Sequence, residues 1–250
     1  MPKDGISIPM KLKRDFILEV VFELRFETST LPEILFGRLA DHAPWQGFRQ
    51  EPLPAYAIPA VMRQTDPNLR YQPVLQLSGE EGRRSIRIGP QVASYHRAAP
   101  YVGWAQFSAE LEEFFQGFFE RSENPCISRL GIRYINAATA ELHGVAAITD
   151  LDLRVLVKEN QIGAHLNVNY MNDHERDTQS VVRVATPDLV VGTIPSGVSL
   201  LIDVDVFTKP GFKTTAADEV REWATFAHEE EKKQFFRLLR PETIEALREK

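Results

Sequence analysis

FILEVVFELRF, residues 16–26, decides the fold, because it reads either as one buried strand or as a helix. Its apolar density and its β-branched and aromatic residues suit a strand. The segment that follows settles the choice. Thr30 and Glu33 have the spacing of a capping box and Pro32 fits only a helix's first turn, so a helix is expected from there to about His42. Leu31, Ile34, Leu35 and Leu39 would face inward, and Pro44 would end the helix.

Outward from this start, six of the sixteen prolines fall between Pro44 and Pro73, which rules out a regular helix or a central strand there. Trp45, Phe48, Tyr56 and Met62 make the stretch too aromatic for a free linker, so residues 44–73 are expected to form an ordered excursion on the domain. Strands are then expected at Val74–Leu77, Ser85–Ile88 and Val92–Tyr95. A helix follows over Gly103–Ser122, with Trp104, Phe107, Leu111, Phe114 and Phe118 on one face and Glu110, Glu113 and Arg121 on the other.

Five more strands are expected at Ile127–Ala137, Leu151–Val157, Ala164–Tyr170, Val181–Ala185 and Ser199–Phe207, and the last three alternate polar and apolar residues. A helix from about Ala217 turns Val220, Trp223, Ala227, Phe235 and Leu238 inward, and Pro241 opens a short terminal helix. The pattern predicts an α+β fold, an extended and mainly antiparallel sheet with long helices packed on one face. The order admits a duplicated strand-helix-strands unit, although no residue-level repeat proves it. Residues 1–14 are expected to be a flexible tail and 15–250 a single domain.

The 250-residue chain is 43% hydrophobic and 26% charged, enough for a sizeable core without covalent staples. A lone cysteine, Cys126, excludes an internal disulfide and a cysteine-based zinc cage, and no cofactor is expected. No segment has the length and apolarity of a membrane span or secretory leader, so a cytoplasmic location is expected. A net charge of −6 argues against general affinity for nucleic acid.

Several constellations admit both a chemical and a structural reading. Asp203 and Asp205 share one strand face, where two carboxylates would hold Mg²⁺ or divide acid and base duties; alternation alone also places polar residues there. His165 joins them in a cation site if its strand is adjacent. Arg129 and Arg133 share a face around Gly131, and with Arg83, Arg84 and Arg87 would line an anion strip; cross-strand pairing with glutamates explains them equally. The polar run Asn172–Asp177 reads as a hairpin turn lacking EF-hand spacing. His228 precedes three glutamates without the second histidine of a zinc-protease helix, and Glu229 with Lys233 reads as an exposed pair. No phosphate loop, dinucleotide fingerprint or nucleophile elbow is present.

The opening EVVFELRF, the segment Pro100-Tyr101-Val102-Gly103-Trp104 before a helix, Arg129-Leu130-Gly131-Ile132-Arg133-Tyr134-Ile135-Asn136 after it, and His228 with Phe235-Phe236 resemble a sporadically distributed, functionally uncharacterised bacterial protein family of similar length. The resemblance implies an accessory bacterial gene, of the kind common among toxin-antitoxin and phage-defence cargo, and brings no catalytic residues with it.

The leading functional expectation is therefore a non-enzymatic binding protein contacting a protein partner. Arg84, Arg87, Arg129, Arg133, His165, Asp203 and Asp205 are the candidate ligand or partner contacts, and no residue is assigned as catalytic. The first alternative is an enzyme acting on a small ligand or phosphate ester, with a pocket between sheet and helices. The second is a nucleic-acid binder using the arginine strip.

Overall fold

Residues 8–9 and 11–249 are described by the structure, a computed structural model. The first half opens with β1 (Ile17–Glu27) and α1 (Pro32–Ala40), and continues through β2 (Arg49–Pro52) and α2 (Ala60–Thr65). A meander of β3 (Leu75–Gly79), β4 (Arg84–Gly89) and β5 (Val92–Ala98) then leads into the long helix α3 (Trp104–Arg121). The second half runs β6 (Cys126–Thr139), α4 (Ala140–His143) and a small hairpin of β7 (Leu156–Val157) with β8 (Asn160–Gln161). A second meander, β9 (Asn167–His174), β10 (Thr178–Ala185) and β11 (Val198–Thr208), leads into α5 (Ala217–Leu238) and α6 (Pro241–Leu247).

Nine strands form one antiparallel sheet in the order β2-β3-β4-β5-β1-β6-β11-β10-β9. The order exposes the duplication that the chain only hints at. Each half has a first strand at the sheet centre, a meander whose last strand returns beside the first, and a long helix. β1 and β6 pair antiparallel at the middle, so the halves are arranged about a two-fold axis through that pair. β2 is an addition to the first half. It comes from the proline-rich excursion and occupies the sheet edge, where Pro52 interrupts no inner ladder.

Alternation decides which side chains meet the helices. Val20, Phe22, Leu24 and Phe26 of β1, Leu130, Ile132 and Tyr134 of β6, and Ile202, Val204 and Val206 of β11 are buried on one face. There Phe22 meets Phe115 of α3 at 5.0 Å and Trp223 of α5 at 6.2 Å, so one strand residue joins both helices. Each such aromatic contributes about 1.5–3 kcal/mol through burial.

The structure corrects several local expectations. Thr30 does not cap α1: its Oγ1 accepts from the Glu123 N–H at 2.8 Å, tying the β1–α1 turn to the end of α3. Leu31 and Ile34 point to solvent, leaving Leu35 and Leu39 as the buried pair. Residues 151–157 make no strand of the sheet, because the Asp152 N–H donates to Leu238 O and Leu151 bridges Leu239, drawing this segment to the α5–α6 corner. β9 starts at Asn167 and continues to His174, through the first half of the polar run read as a turn. Much of the expected N-terminal tail, 1–7 and 10, lies outside the described residues, but Leu12 is buried and the Lys13 N–H donates to Leu247 O at 2.8 Å. Among the described residues no helix is long and apolar enough to cross a membrane.

Candidate functional site

The sheet face away from the helices carries the polar residues that the sequence singles out, and the register arranges them in rows. Val21, Arg133 and Asp205 stand side by side across β1, β6 and β11; Glu19, Ile135, Asp203 and Arg183 form the neighbouring row. Arg133 donates to both oxygens of Asp203, at 2.7 and 2.5 Å. Arg129 donates to Glu23 at 2.9 Å and comes within 3.6 Å of Asp205, lying over Gly131, where a Cβ would sit 2.9 Å from its Nη1. That close approach is what glycine permits at the position.

Asp205 is pushed up to about 6 by burial, against the lowering effect of Arg129 and Arg133. Glu19 accepts from His96 at 2.8 Å, and His96 reaches Ser94 through its other ring nitrogen at 2.9 Å. The arginine strip is thus largely a lattice of cross-strand pairs. With the loop 190–195 as one wall, this face forms a groove that includes Arg83, Arg87, Arg133 and Arg183.

Two of the expected contacts lie elsewhere. Arg84 is on the helix-covered face, donating to Tyr95 Oη at 2.9 Å and to Glu113 at 3.1 Å, because the register puts it in phase with Ile86 and Ile88 and out of phase with Arg87. His165 precedes β9, has a positive φ of 53° and pairs with Asp188 at 2.6 Å. β10 separates β9 from β11, so His165 is not brought to Asp203 and Asp205. Among the described residues no three His, Cys, Asp or Glu side chains are grouped to hold a metal ion. The expected Glu229–Lys233 pair is replaced by Glu230–Lys233 at 2.6 Å.

A second site lies between the sheet and the helices, where the start of α3, the middle of α5 and the ends of β1 and β6 leave a cavity of about 690 Å³. Gly103 turns the chain into α3 with φ +83°, a conformation that suits glycine, and sets Trp104 at the cavity wall. The Trp104 ring stacks on His228 of α5, with centroids 4.0 Å apart and planes 4° from parallel. His228 Nδ1 lies 2.9 Å from Tyr134 Oη, which in turn lies 3.4 Å from Tyr101 Oη. Phe16, Phe235 and Phe236 complete an aromatic wall.

One turn along α5 from His228, Glu231 lines the same cavity with 5% of its surface exposed. Among the described residues it has no ion-pair or hydrogen-bond partner. Burial pushes its carboxyl well above the usual carboxylate range, with Lys232 only partly opposing. Burial also pulls His228 down to about 4 and pushes Tyr101 up to about 12. Burial thus disfavours the charged form of the acid, the imidazole and the phenols alike. This combination of mostly apolar walls, a few convergent polar groups and displaced ionisations is what small-molecule sites have in common.

None of Tyr101, Trp104, Tyr134, His228 or Glu231 stands among the candidate contacts chosen from sequence. The signal was present on α5. Ala227, Glu231, Phe235 and Leu238 follow one another at helical offsets of three and four, so Glu231 sits on the stripe that the apolar residues define. Comparison with known proteins adds nothing to the geometry: no family model and no curated protein matches the chain.

Proposed function

We propose that this protein binds a small organic molecule in the cavity between the sheet and its two long helices. The observation that carries the reading is Glu231, a buried carboxyl without a partner among the described residues, facing the same space as the Tyr101–Tyr134–His228 chain. An unpaired polar group in such a place is destabilising unless something fills its hydrogen-bonding capacity. The cavity volume of about 690 Å³ suits a ligand of metabolite size.

Three of the four segments quoted for the resemblance to a bacterial family also reach this cavity, the opening EVVFELRF being the exception. Tyr101, Gly103 and Trp104, Tyr134 and Asn136, and His228 with Phe235 and Phe236 all line the cavity. By contrast, the charged groups of the open sheet face largely answer one another. The reading thus moves from the protein partner expected from sequence to a small ligand, and keeps the expectation of a binding protein ahead of an enzyme.

A fragment screen by protein NMR tests it. Fragments that bind should shift the Trp104 indole and His228 ring resonances, and should lose that effect in Ala105→Trp, which places a large side chain at the cavity wall. Hits scattered over the surface, with none perturbing Trp104, would overturn the proposal.

A further inference from the structure

We infer that the ligand of this cavity is an organic cation, an amine or quaternary ammonium group carried on an apolar body, with Glu231 as its counter-charge. The inference rests on the small-ligand reading and adds the chemical class. Three features of the cavity converge on it.

The first is the isolation of Glu231. Its neighbours in the cavity, Tyr101, Tyr134 and His228, are occupied with one another, and none comes within hydrogen-bonding distance of its carboxyl oxygens. An anionic ligand would meet a carboxyl, two phenols and an uncharged imidazole, with no buried cation to receive it. The lysines at this site, Lys11 and Lys232, share the rim with Asp15 and Glu229. A cation, in contrast, gains an unscreened partner in a region of low dielectric, where charge attraction is several times stronger than in water.

The second is the wall chemistry. Tyr101, Trp104, Tyr134, Phe16 and Phe235 line the same cavity as Glu231, with one face of Trp104 stacked on His228 and one of Phe16 on His143. Ring faces carry partial negative charge and attract ammonium groups, most strongly when these are desolvated. Trp104 is held in place by its stack on His228, so its ring need not be ordered on binding.

The third is the absence, among the described residues, of a donor set for an inorganic ion. A divalent metal would require several oxygen or nitrogen ligands converging on one point. One carboxylate inside an aromatic enclosure serves an ammonium head group instead. Binding would favour the ionised carboxylate of Glu231, because the ligand supplies the opposite charge that burial withholds.

Isothermal titration calorimetry with phenethylammonium and its neutral isostere 2-phenylethanol tests the inference, run near pH 7 and paired with Trp104 fluorescence. Phenethylammonium should bind at least tenfold more tightly. Glu231→Gln should abolish the preference, so that the two compounds bind alike; Glu231→Met, checked for folding by circular dichroism, should do the same. If 2-phenylethanol binds as well as the ammonium and quenches Trp104, the cation inference falls and the small-ligand reading stands. If neither compound perturbs Trp104 at millimolar concentration, both fall.

Discussion

Each half of the duplicated fold buries one glutamate under its long helix, and the two are treated in opposite ways. Glu110 of α3 accepts from Tyr95 Oη at 2.7 Å and from Gln106 Nε2 at 3.1 Å, with Arg97 Nη1 3.7 Å away. Glu231 of α5 has no such partner among the described residues, although it is just as deeply buried. The sheet explains the difference. β5, which faces α3, presents Tyr95 and Arg97 on its helix-covered side, whereas β6 and β11, which face α5, present Tyr134, Ile202 and Val204 there. The long helices of the two halves thus carry two buried glutamates at different points along their length, one used to hold the structure together and one left to meet a ligand.

The most direct way to break that comparison is to remove each carboxyl in turn. Glu110→Met should destabilise the protein by about 3–5 kcal/mol, towards the lower end because Glu80 still holds Arg97 at 2.7 Å. Urea denaturation would measure it. A loss below about 1 kcal/mol would mean that Glu110 is no more structural than Glu231.

Acid provides the second test, since it acts on α5 through His228. The pKa of this histidine is 6.5 in the unfolded chain and about 4 in the folded one, lowered by burial and to a lesser degree by Lys232. Folded stability from the neutral ring is complete above pH 6.5 and declines as pH falls towards 4. Each tenfold weakening of proton binding on folding is worth about 1.4 kcal/mol, so the loss reaches about 3 kcal/mol. His228→Phe, which keeps a ring against Trp104, should make the decline between pH 6.5 and 4 shallower, leaving the part due to His42, His96, His143 and His174, which burial also lowers. An unchanged acid limb would show that another group governs it.

Smaller, and opposite in sign to the Glu110 effect, is the response to Glu231→Met. Replacing an unpartnered buried carboxyl by an apolar side chain of similar length should stabilise the ligand-free protein by about 1–3 kcal/mol. Because the folded-state pKa is raised, the neutral carboxyl supports folding fully below its unfolded value of 4.5, and that support declines as pH rises. The gain from the substitution should therefore grow as pH rises above 4.5. A destabilised Glu231→Met would mean that the carboxyl is satisfied in solution.

How much of this was legible in the sequence follows from what kind of pattern each feature leaves. Alternation in β10 and β11 assigns Asp203 and Asp205 to one face and their apolar neighbours to the other, because side-chain direction in a strand has a period of two and needs no knowledge of the partner strand. What alternation cannot supply is adjacency. His165 looked close to the aspartates only while the place of β10 in the sheet was unknown. The long helices were legible from their aromatic stripes, yet a glutamate on such a stripe is easily assigned to the solvent side by its chemistry alone. Glu110 is offset by three from Phe107 and by four from Phe114, and geometry, which buries it, prevails over polarity. The capping box failed for a related reason: Thr30 has the right spacing, but its hydroxyl is taken by a backbone N–H from the distant end of α3.

The smallest expected effect concerns the open sheet face and sharpens the contrast between its paired charges and the lone carboxyl under α5. Arg133 and Asp203 form a two-pronged pair, but nearly half of the Arg133 side chain surface is in contact with water. Solvent screens the attraction, and ordering a long side chain offsets part of what remains. A double-mutant cycle with Arg133→Ala and Asp203→Ala should give a coupling energy of about 0.2–1 kcal/mol, shrinking as salt is raised. Neither substitution should alter binding in the cavity, since the pair stands on the opposite face of the sheet from Trp104 and Glu231. A coupling well above 1 kcal/mol that resists salt would mark the groove beneath the 190–195 loop as a desolvated site, and would make the open face the stronger claimant to function.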